Sequence, residues 1–327
     1  TQSTLNSPQI GLDNGVHFPM LQRRILFFLF IANCAFAIAA SPAGSQILPF
    51  SHQTGERLFM GSFPGAALFD YDNDGDLDVY VTNGLGVPNR LLENDGRGTF
   101  TDIAVRSGVD DLKEGHGVAT ADIDNDGDLE IYVANFSQDS NRLYLNNGDG
   151  TFTDIAPSAG VSSIQFNSTS SAFADIDNDG YVDLYVGAAY VSYGTNELYR
   201  NNGDLTFTNI TRQTGTAAGY SWAVGFCDYD NDGDQDIFAA NDQGIAQVNE
   251  YCPIRLFRND GNLQFTDVTR EAGLGITGSW MGLAFADYNL DGSMDLFATN
   301  VGTSYPSIEF QDTDFHVLYR NNGDDTF

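Results

Sequence analysis

The sequence predicts an all-β chain, a β-propeller of four-stranded antiparallel blades, and three observations carry that prediction. A nine-residue acidic cluster recurs five times, beginning at Asp70, Asp122, Asp175, Asp228 and Asp287, at intervals of 52, 53, 53 and 59 residues. Each cluster sits between two short apolar segments, and a second pair of segments joined by Asn-Gly or Asp-Gly follows it. Composition agrees, with 35 Gly, 13% aromatic residues and no long stretch of helix-forming residues. Four short strands in a repeat of this length are the pattern of radial repetition, whereas a stacked solenoid needs one or two strands per shorter repeat.

The first element in chain order is not part of the fold. The sequence reads as a polar, patternless extension over 1–19, then a basic start at Arg23 and Arg24, an apolar run from Ile25 to Ala40 and small residues at Ala37 and Ala39. That order predicts a secretory signal peptide over 20–40, too short to cross a bilayer as a helix, with the mature chain starting near Ala40. The remainder, 41–327, is expected to be one propeller that is truncated at its C-terminus relative to a parent with more blades. Its location would be secreted, periplasmic or at the cell surface.

Each repeat opens with a hairpin whose turn is the acidic cluster. GAALF, GVATA, SAFA, AVGFC and GLAFA lead in, and VYVTN, IYVAN, LYVGA, IFAAN and LFATN lead out. The second hairpin is NRLLENDGRGTFTDI in the first repeat and NRLYLNNGDGTFTDI, NELYRNNGDLTFTNI, IRLFRNDGNLQFTDV and HVLYRNNGDDTF in the others. A Phe stands 20 to 23 residues before each cluster, at Phe50, Phe100, Phe152, Phe207 and Phe265, and marks an outer strand. The inventory predicts five consecutive blades. An unclosed arc of them would leave unpaired edges prone to self-association.

These segments, with the entry FSHQTGERLFMGSFPG, resemble the FG-GAP (VCBS-type) repeat proteins, most closely bacterial relatives of cartilage acidic protein and more distantly the integrin α propeller. The resemblance spans about Ile47 to Phe327. It implies an extracellular, calcium-loaded propeller used for recognition, and it names no ligand.

The acidic loops carry the chemistry. A turn of the form D-x-D-x-D-G-x-x-D points oxygens at one spot, which suits calcium, a hard cation taking six to eight oxygen ligands. In the first loop Asp70, Asp72 and Asp74 fill positions 1, 3 and 5, the Asp76 carbonyl fills position 7 and Asp78 closes the cage. The same assignment gives Asp122, Asp124, Asp126, Asp128 and Glu130, then Asp175, Asp177, Asp179, Tyr181 and Asp183, then Asp228, Asp230, Asp232, Asp234 and Asp236. The fifth loop departs, with Asp287, Asn289, Asp291, Ser293 and Asp295; Asn289 replaces an acid, so that loop should bind most weakly. Up to five Ca²⁺, about one per repeat, are expected. Carboxylates about 5 Å apart repel by about 3 kcal/mol per pair even at an effective dielectric of 20, so such loops need a cation. Magnesium fits less well, because it demands a stricter octahedron and keeps its waters.

The loops hold 22 of the 45 acidic residues, and the formal charge is −31 against only 14 Lys and Arg. So negative a chain repels phosphate backbones and anionic lipid, which excludes nucleic acid and membrane-surface partners. No metalloprotease, nucleophile-elbow, phosphate-loop or C-x-x-C motif is present, and no catalytic residue is assigned. His52, His116 and His316 fall at unlike repeat positions and read as structural. Cys227 reads as a small core residue, with pairing to Cys252 left open, and Asn135, Asn167 and Asn209 begin glycosylation triplets.

In an up-and-down blade the acidic turns lie on one face, and the connections from strand two to three and from blade to blade lie on the other. That second face carries the irregular loops, together with Pro64, His116, Thr169, Trp222 and Met281, each six residues before an acidic loop, and Trp280. The expected function is recognition or adhesion toward an extracellular protein or glycan through this face. The alternatives are a propeller-based hydrolase or lyase with structural calcium, or a purely structural surface module.

Overall fold

A computed structural model of the chain describes residues 64–137, 139–163, 167–189, 196–242, 253–300 and 315–327. The signal segment, Phe50, His52 and Cys252 lie outside these residues. Five antiparallel sheets follow one another along the chain. The first holds β1 (Ala66–Phe69), β2 (Asp78–Val81), β3 (Arg90–Asn94) and β4 (Phe100–Asp102). The second holds β5 (Gly115–Ala121), β6 (Glu130–Asn135), β7 (Arg142–Asn146) and β8 (Phe152–Asp154), and the third β9 (Asn167–Ala174), β10 (Asp183–Ala189), β11 (Glu197–Asn201) and β12 (Phe207–Asn209). The fourth holds β13 (Ser221–Cys227), β14 (Asp236–Asn241), β15 (Ile254–Asn259) and β16 (Phe265–Asp267). The fifth shows β17 (Trp280–Ala286), β18 (Asp295–Asn300) and β19 (Val317–Tyr319). In that last sheet Phe327 stands where an outer strand would begin, behind a turn closed by Asn322 N–H donating to the Thr326 carbonyl at 2.8 Å. The order within each sheet is sequential, so these are propeller blades. Their first strands β1, β5, β9, β13 and β17 pack side by side in that order as the inner wall.

One local feature escaped the all-β reading. After each of the first three outer strands comes a four-residue helical turn, α1 (Ala104–Ser107), α2 (Ala156–Ala159) and α3 (Thr211–Thr214), each stopped by a left-handed glycine. Four residues are too few to generate a helical period, so only the glycine signals them.

The core lies at the junctions between blades, and one rule builds all of them. The residue at position 2 of an acidic loop is covered by the outer-strand Phe of the next blade: Tyr71 by Phe152, Ile123 by Phe207, Ile176 by Phe265 and Tyr229 by Phe327. The Tyr71 and Phe152 ring centroids are 6.4 Å apart, those of Tyr229 and Phe327 5.9 Å. In blades 1 to 4 the aromatic ring in the middle of the second strand is fully buried, and in blades 1 to 3 it is a Tyr whose hydroxyl donates to a backbone carbonyl past the helical turn. Tyr80 reaches Val109 at 2.9 Å, Tyr132 reaches Val161 at 3.0 Å and Tyr185 reaches Thr216 at 2.7 Å. An Asn from the strand two to three connection, Asn89, Asn141 or Asn196, donates to the same hydroxyl, so none of these buried oxygens is left wanting.

The same positions are open at the two ends of the series. Tyr288, at position 2 of the fifth loop, is 53% exposed and Phe100 of blade 1 is 42% exposed, whereas Tyr71 and Phe152 are 4% and 7% exposed. The five consecutive blades expected from the repeats are therefore present, with core clusters at the four internal junctions among the described residues.

Candidate metal centres and the opposite face

Loops 1 to 4 owe their shape to an Asn and a Gly that tolerate a left-handed backbone, and the fifth holds Leu290 at φ 61° in the place of the Asn. In the first loop these are Asn73 at φ 59° and Gly75 at φ 93°. With the chain so turned, the Asp70 carboxylate accepts the amides of Asp74 and Gly75, at 3.1 and 2.9 Å, and Asp74 accepts the Asp76 amide at 2.9 Å. Position 9 sits on the second strand and is sunk into the blade. Asp78, Glu130, Asp183 and Asp236 are at most 1% exposed, and each accepts the amide at position 2 of its own loop and the amide of the Asn ending the third strand.

This geometry brings together positions 1, 3 and 9. One oxygen each from Asp70, Asp72 and Asp78 lies within 4.8 Å of the other two, and the same holds for Asp122, Asp124 and Glu130, for Asp175, Asp177 and Asp183, and for Asp228, Asp230 and Asp236. Position 5 is drawn into the loop by its backbone bond and falls outside these trios. The fifth loop keeps the backbone pattern, with Asp287 accepting the amides of Asp291 and Gly292 at 3.1 and 2.8 Å, but Asn289 leaves it without a third carboxylate at the cluster.

Burial raises the proton affinity of these groups. Desolvation pushes Glu130 up to about 8, Asp183 to about 7 and Asp236 to about 8, while backbone donors pull the other way and neighbouring loop acids add to the rise. Asp72, Asp124 and Asp230 are also raised by desolvation and by the position 5 acid beside them. In addition, Asp124 Oδ1, Asp177 Oδ1 and Asp230 Oδ1 are buried with no hydrogen-bond partner. Buried carboxylate oxygens without donors, grouped with two further carboxylates, are the donor set a hard divalent cation takes up, so the residues fit calcium.

The loops are also tied to one another. The position 4 Asn reaches the following loop: Asn73 Nδ2 to Asp128 Oδ1 at 2.7 Å, Asn125 Nδ2 to the Gly180 carbonyl at 2.9 Å, Asn178 Nδ2 to Asp234 Oδ1 at 2.7 Å and Asn231 Nδ2 to the Gly292 carbonyl at 3.4 Å. In return, the Asn ending the third strand donates back to the position 2 carbonyl of the preceding loop. Asn146 reaches Tyr71 at 2.9 Å, Asn201 reaches Ile123 at 2.8 Å, Asn259 reaches Ile176 at 2.8 Å and Asn321 reaches Tyr229 at 2.7 Å. These asparagines were missed as functional positions, although their recurrence within DNDG and LYRNN was the available signal.

On the opposite face, His116 and Trp222 come together from blades 2 and 4. The His116 ring stacks on Phe136 at 4.3 Å with planes 2° apart, and Trp222 lies 6.2 Å from His116 and 6.3 Å from Phe136. Trp222 Nε1 donates to Asp242 at 3.1 Å, Glu114 stands 3.9 Å from His116 Nε2, and burial holds His116 down at about 4. Thr169 donates to the Ser221 carbonyl at 2.5 Å, and Trp280 is fully buried in the core between blades 4 and 5. His316 accepts the Asn300 amide at 3.1 Å, a structural role. Cys227 is buried, without a disulfide among the described residues, and burial pushes its thiol up to about 12.

Repeated blades carrying an acidic loop in the first hairpin define an acidic-loop type of propeller repeat. The chain belongs to the FG-GAP-like repeat family, which matches residues 70–133, 122–186, 188–239 and 228–298. It is 31% identical over 219 residues to cartilage acidic protein 1 of Xenopus tropicalis, covering 61% of this chain and 31% of that protein. It is also 32% identical over 204 residues to the human protein of that name, covering 58% and 29%. The chain thus spans about a third of the length of these relatives. Among solved structures it resembles the Vibrio cholerae biofilm matrix protein Bap1 at 16% identity, with a TM-score of 0.40 over 73% of this chain and 35% of that one. It also resembles an Agrocybe aegerita lectin that recognises non-reducing terminal N-acetylglucosamine, at 21% identity and a TM-score of 0.36 over 61% and 49%.

Proposed function

We propose that the chain is a secreted, calcium-stabilised propeller that serves as a recognition or adhesion module for an extracellular protein or glycan. The observation that carries this reading is the division of labour between its faces. Regularly spaced carboxylate clusters linked loop to loop occupy one face, and an aromatic cluster built from separate blades occupies the other. Calcium in Asp70, Asp72 and Asp78 and their counterparts would neutralise the repulsion within each loop and, through Asn73, Asn125, Asn178 and Asn231, lock neighbouring blades. Export through the 20–40 segment is part of this reading, and millimolar extracellular calcium would then fill sites of moderate affinity. The reading includes no catalysis; the acid–histidine pair on the recognition face, Glu114 with His116, is taken up in aromatic packing.

A glycan and secreted-protein array probed with and without calcium tests the proposal. A saturable ligand lost both on chelation and in Trp222→Ala is expected. Binding that survives chelation in a chain that takes up no calcium would refute the metal's role, and the absence of any saturable ligand would favour a purely structural module.

A further inference from the structure

The residue just before the Asn at the end of each third strand is not constant: it is Glu93 in blade 1, Leu145 in blade 2, and Arg200, Arg258 and Arg320 in blades 3 to 5. The shared register sets this residue beside its own blade's acidic loop. In blade 3 Arg200 spans two loop carboxylates, with Nε 2.5 Å from Asp177 Oδ2 and Nη2 2.7 Å from Asp179 Oδ2. Asp179 Oδ1 is already committed to the Tyr181 amide at 3.0 Å, so the guanidinium holds the oxygen that position 5 would offer a metal. In blade 5 Arg320 Nη2 approaches one acid of its own loop, Asp291 Oδ2 at 3.6 Å, a looser contact than the two Arg200 makes, and in the other blades the position does something different. Glu93 of blade 1 adds an acid, accepting from Tyr71 Oη at 2.7 Å and Arg106 Nη2 at 2.6 Å. Leu145 of blade 2 brings no charge, and Arg258 of blade 4 is turned away to Asp260 at 2.8 Å.

We propose that Arg200 is a tethered counter-cation of the third loop, competing with calcium for Asp177 and Asp179, so that this loop fills after loops 1, 2 and 4. The inference rests on the calcium reading above and grades its sites. Loop 3 is already the poorest of the four in charge, because Tyr181 stands where Asp76, Asp128 and Asp234 stand in the others. Position 7 offers its backbone carbonyl, so the missing acid leaves the ligand count unchanged and weakens only the negative field at the site, while a fixed positive charge a few ångströms from the ion opposes binding directly. An arginine is suited to this role because its planar fork engages two carboxylates at once and it stays charged at every relevant pH. The outcome is a propeller with a built-in order of loading. The third loop, neutralised from within, depends least on the metal for its shape.

Calcium titration calorimetry on the full chain, paired with thermal melts in chelator, tests this. In Arg200→Gln one weak site should tighten by about tenfold or more while the chelated protein melts lower, two shifts of opposite sense from one substitution. Leu145→Arg, which places the same fork beside loop 2, should convert one tight site into a weak one. Weaker calcium binding in Arg200→Gln would mean that the guanidinium positions the ligands instead of competing, and would overturn the proposal, as would an unchanged isotherm. A wild-type chain that takes up no calcium would overturn the calcium reading and this inference together, whereas normal uptake with an indifferent Arg200→Gln would overturn the inference alone.

Discussion

Asn201→Ala should destabilise the propeller far more than Asn94→Ala, although the two residues occupy the same place in their blades. Asn201 is 1% exposed, and its amide bridges two blades: Nδ2 donates to the Ile123 carbonyl at 2.8 Å and to the Val182 carbonyl at 3.2 Å, while Oδ1 accepts the Gly203 amide at 2.9 Å. Truncation removes all three bonds. The Ile123 carbonyl, whose residue is buried, has no route to water, and a buried polar group left unsatisfied costs about 1–3 kcal/mol. Val182 and Gly203 are only partly buried and recover solvent, so the expected total is about 2–3 kcal/mol, or about 4–12 °C in melting midpoint for a folded unit of this size. Asn94 reaches only the Leu77 carbonyl at 3.1 Å and accepts Gly96 N–H at 3.2 Å, both in exposed positions, so its loss should cost at most about 1 kcal/mol. Asn201→Asp keeps the shape but turns the donor into an acceptor facing a carbonyl, and should be worse than alanine. Melts followed by tryptophan fluorescence in saturating calcium would measure all three. Equal losses at positions 94 and 201 would refute the bridging role given to Asn201.

Two further outcomes follow from the acidic loops. Asp72→Ala should lower the calcium-bound midpoint more than Asn289→Ala, because only the first removes a charged ligand; equal effects in paired melts would contradict the ligand assignment. Burial raises Glu130, Asp183 and Asp236 to about 8, 7 and 8, above the value of about 4 in an unfolded chain. A raised carboxylate penalises folding once the unfolded form ionises, so in chelator stability should fall as pH climbs from about 4 through 8. Calcium holds these groups ionised and offsets that penalty, and the gain in midpoint on adding calcium should therefore be larger at pH 8.5 than at pH 5.5.

Much of this architecture was legible because its determinants are short-range. The distance from Asp70 to Asp78 is eight residues, one turn and the start of a strand, so spacing alone predicts that positions 1, 3 and 9 meet. The outer-strand Phe was equally visible as a periodic marker. Its partner, position 2 of the loop in the preceding blade, was not, because Tyr71 and Phe152 stand 81 positions apart and are brought together only by blade stacking. The reading also treated position 5 as equal to its neighbours, whereas Asp74, Asp126, Asp179 and Asp232 spend one oxygen on the backbone two residues ahead.

The same distinction separates the two faces. A loop that must hold a divalent cation encodes its ligands within one turn, and repetition makes that code conspicuous five times over. The opposite face has no such local code: Glu114, His116, Phe136, Trp222 and Asp242 come from strands and connections of two blades that are not neighbours in sequence, and they meet because β5 and β13 both line the inner wall. What the repeats specify in common is the scaffold and its acidic loops. What they specify differently, such as His116, Thr169 and Trp222 at one shared position or Glu93, Leu145 and Arg200 at another, is where blades of identical fold acquire different work. Substitutions at these unlike positions, made on a scaffold whose common positions are left intact, should therefore separate binding from folding.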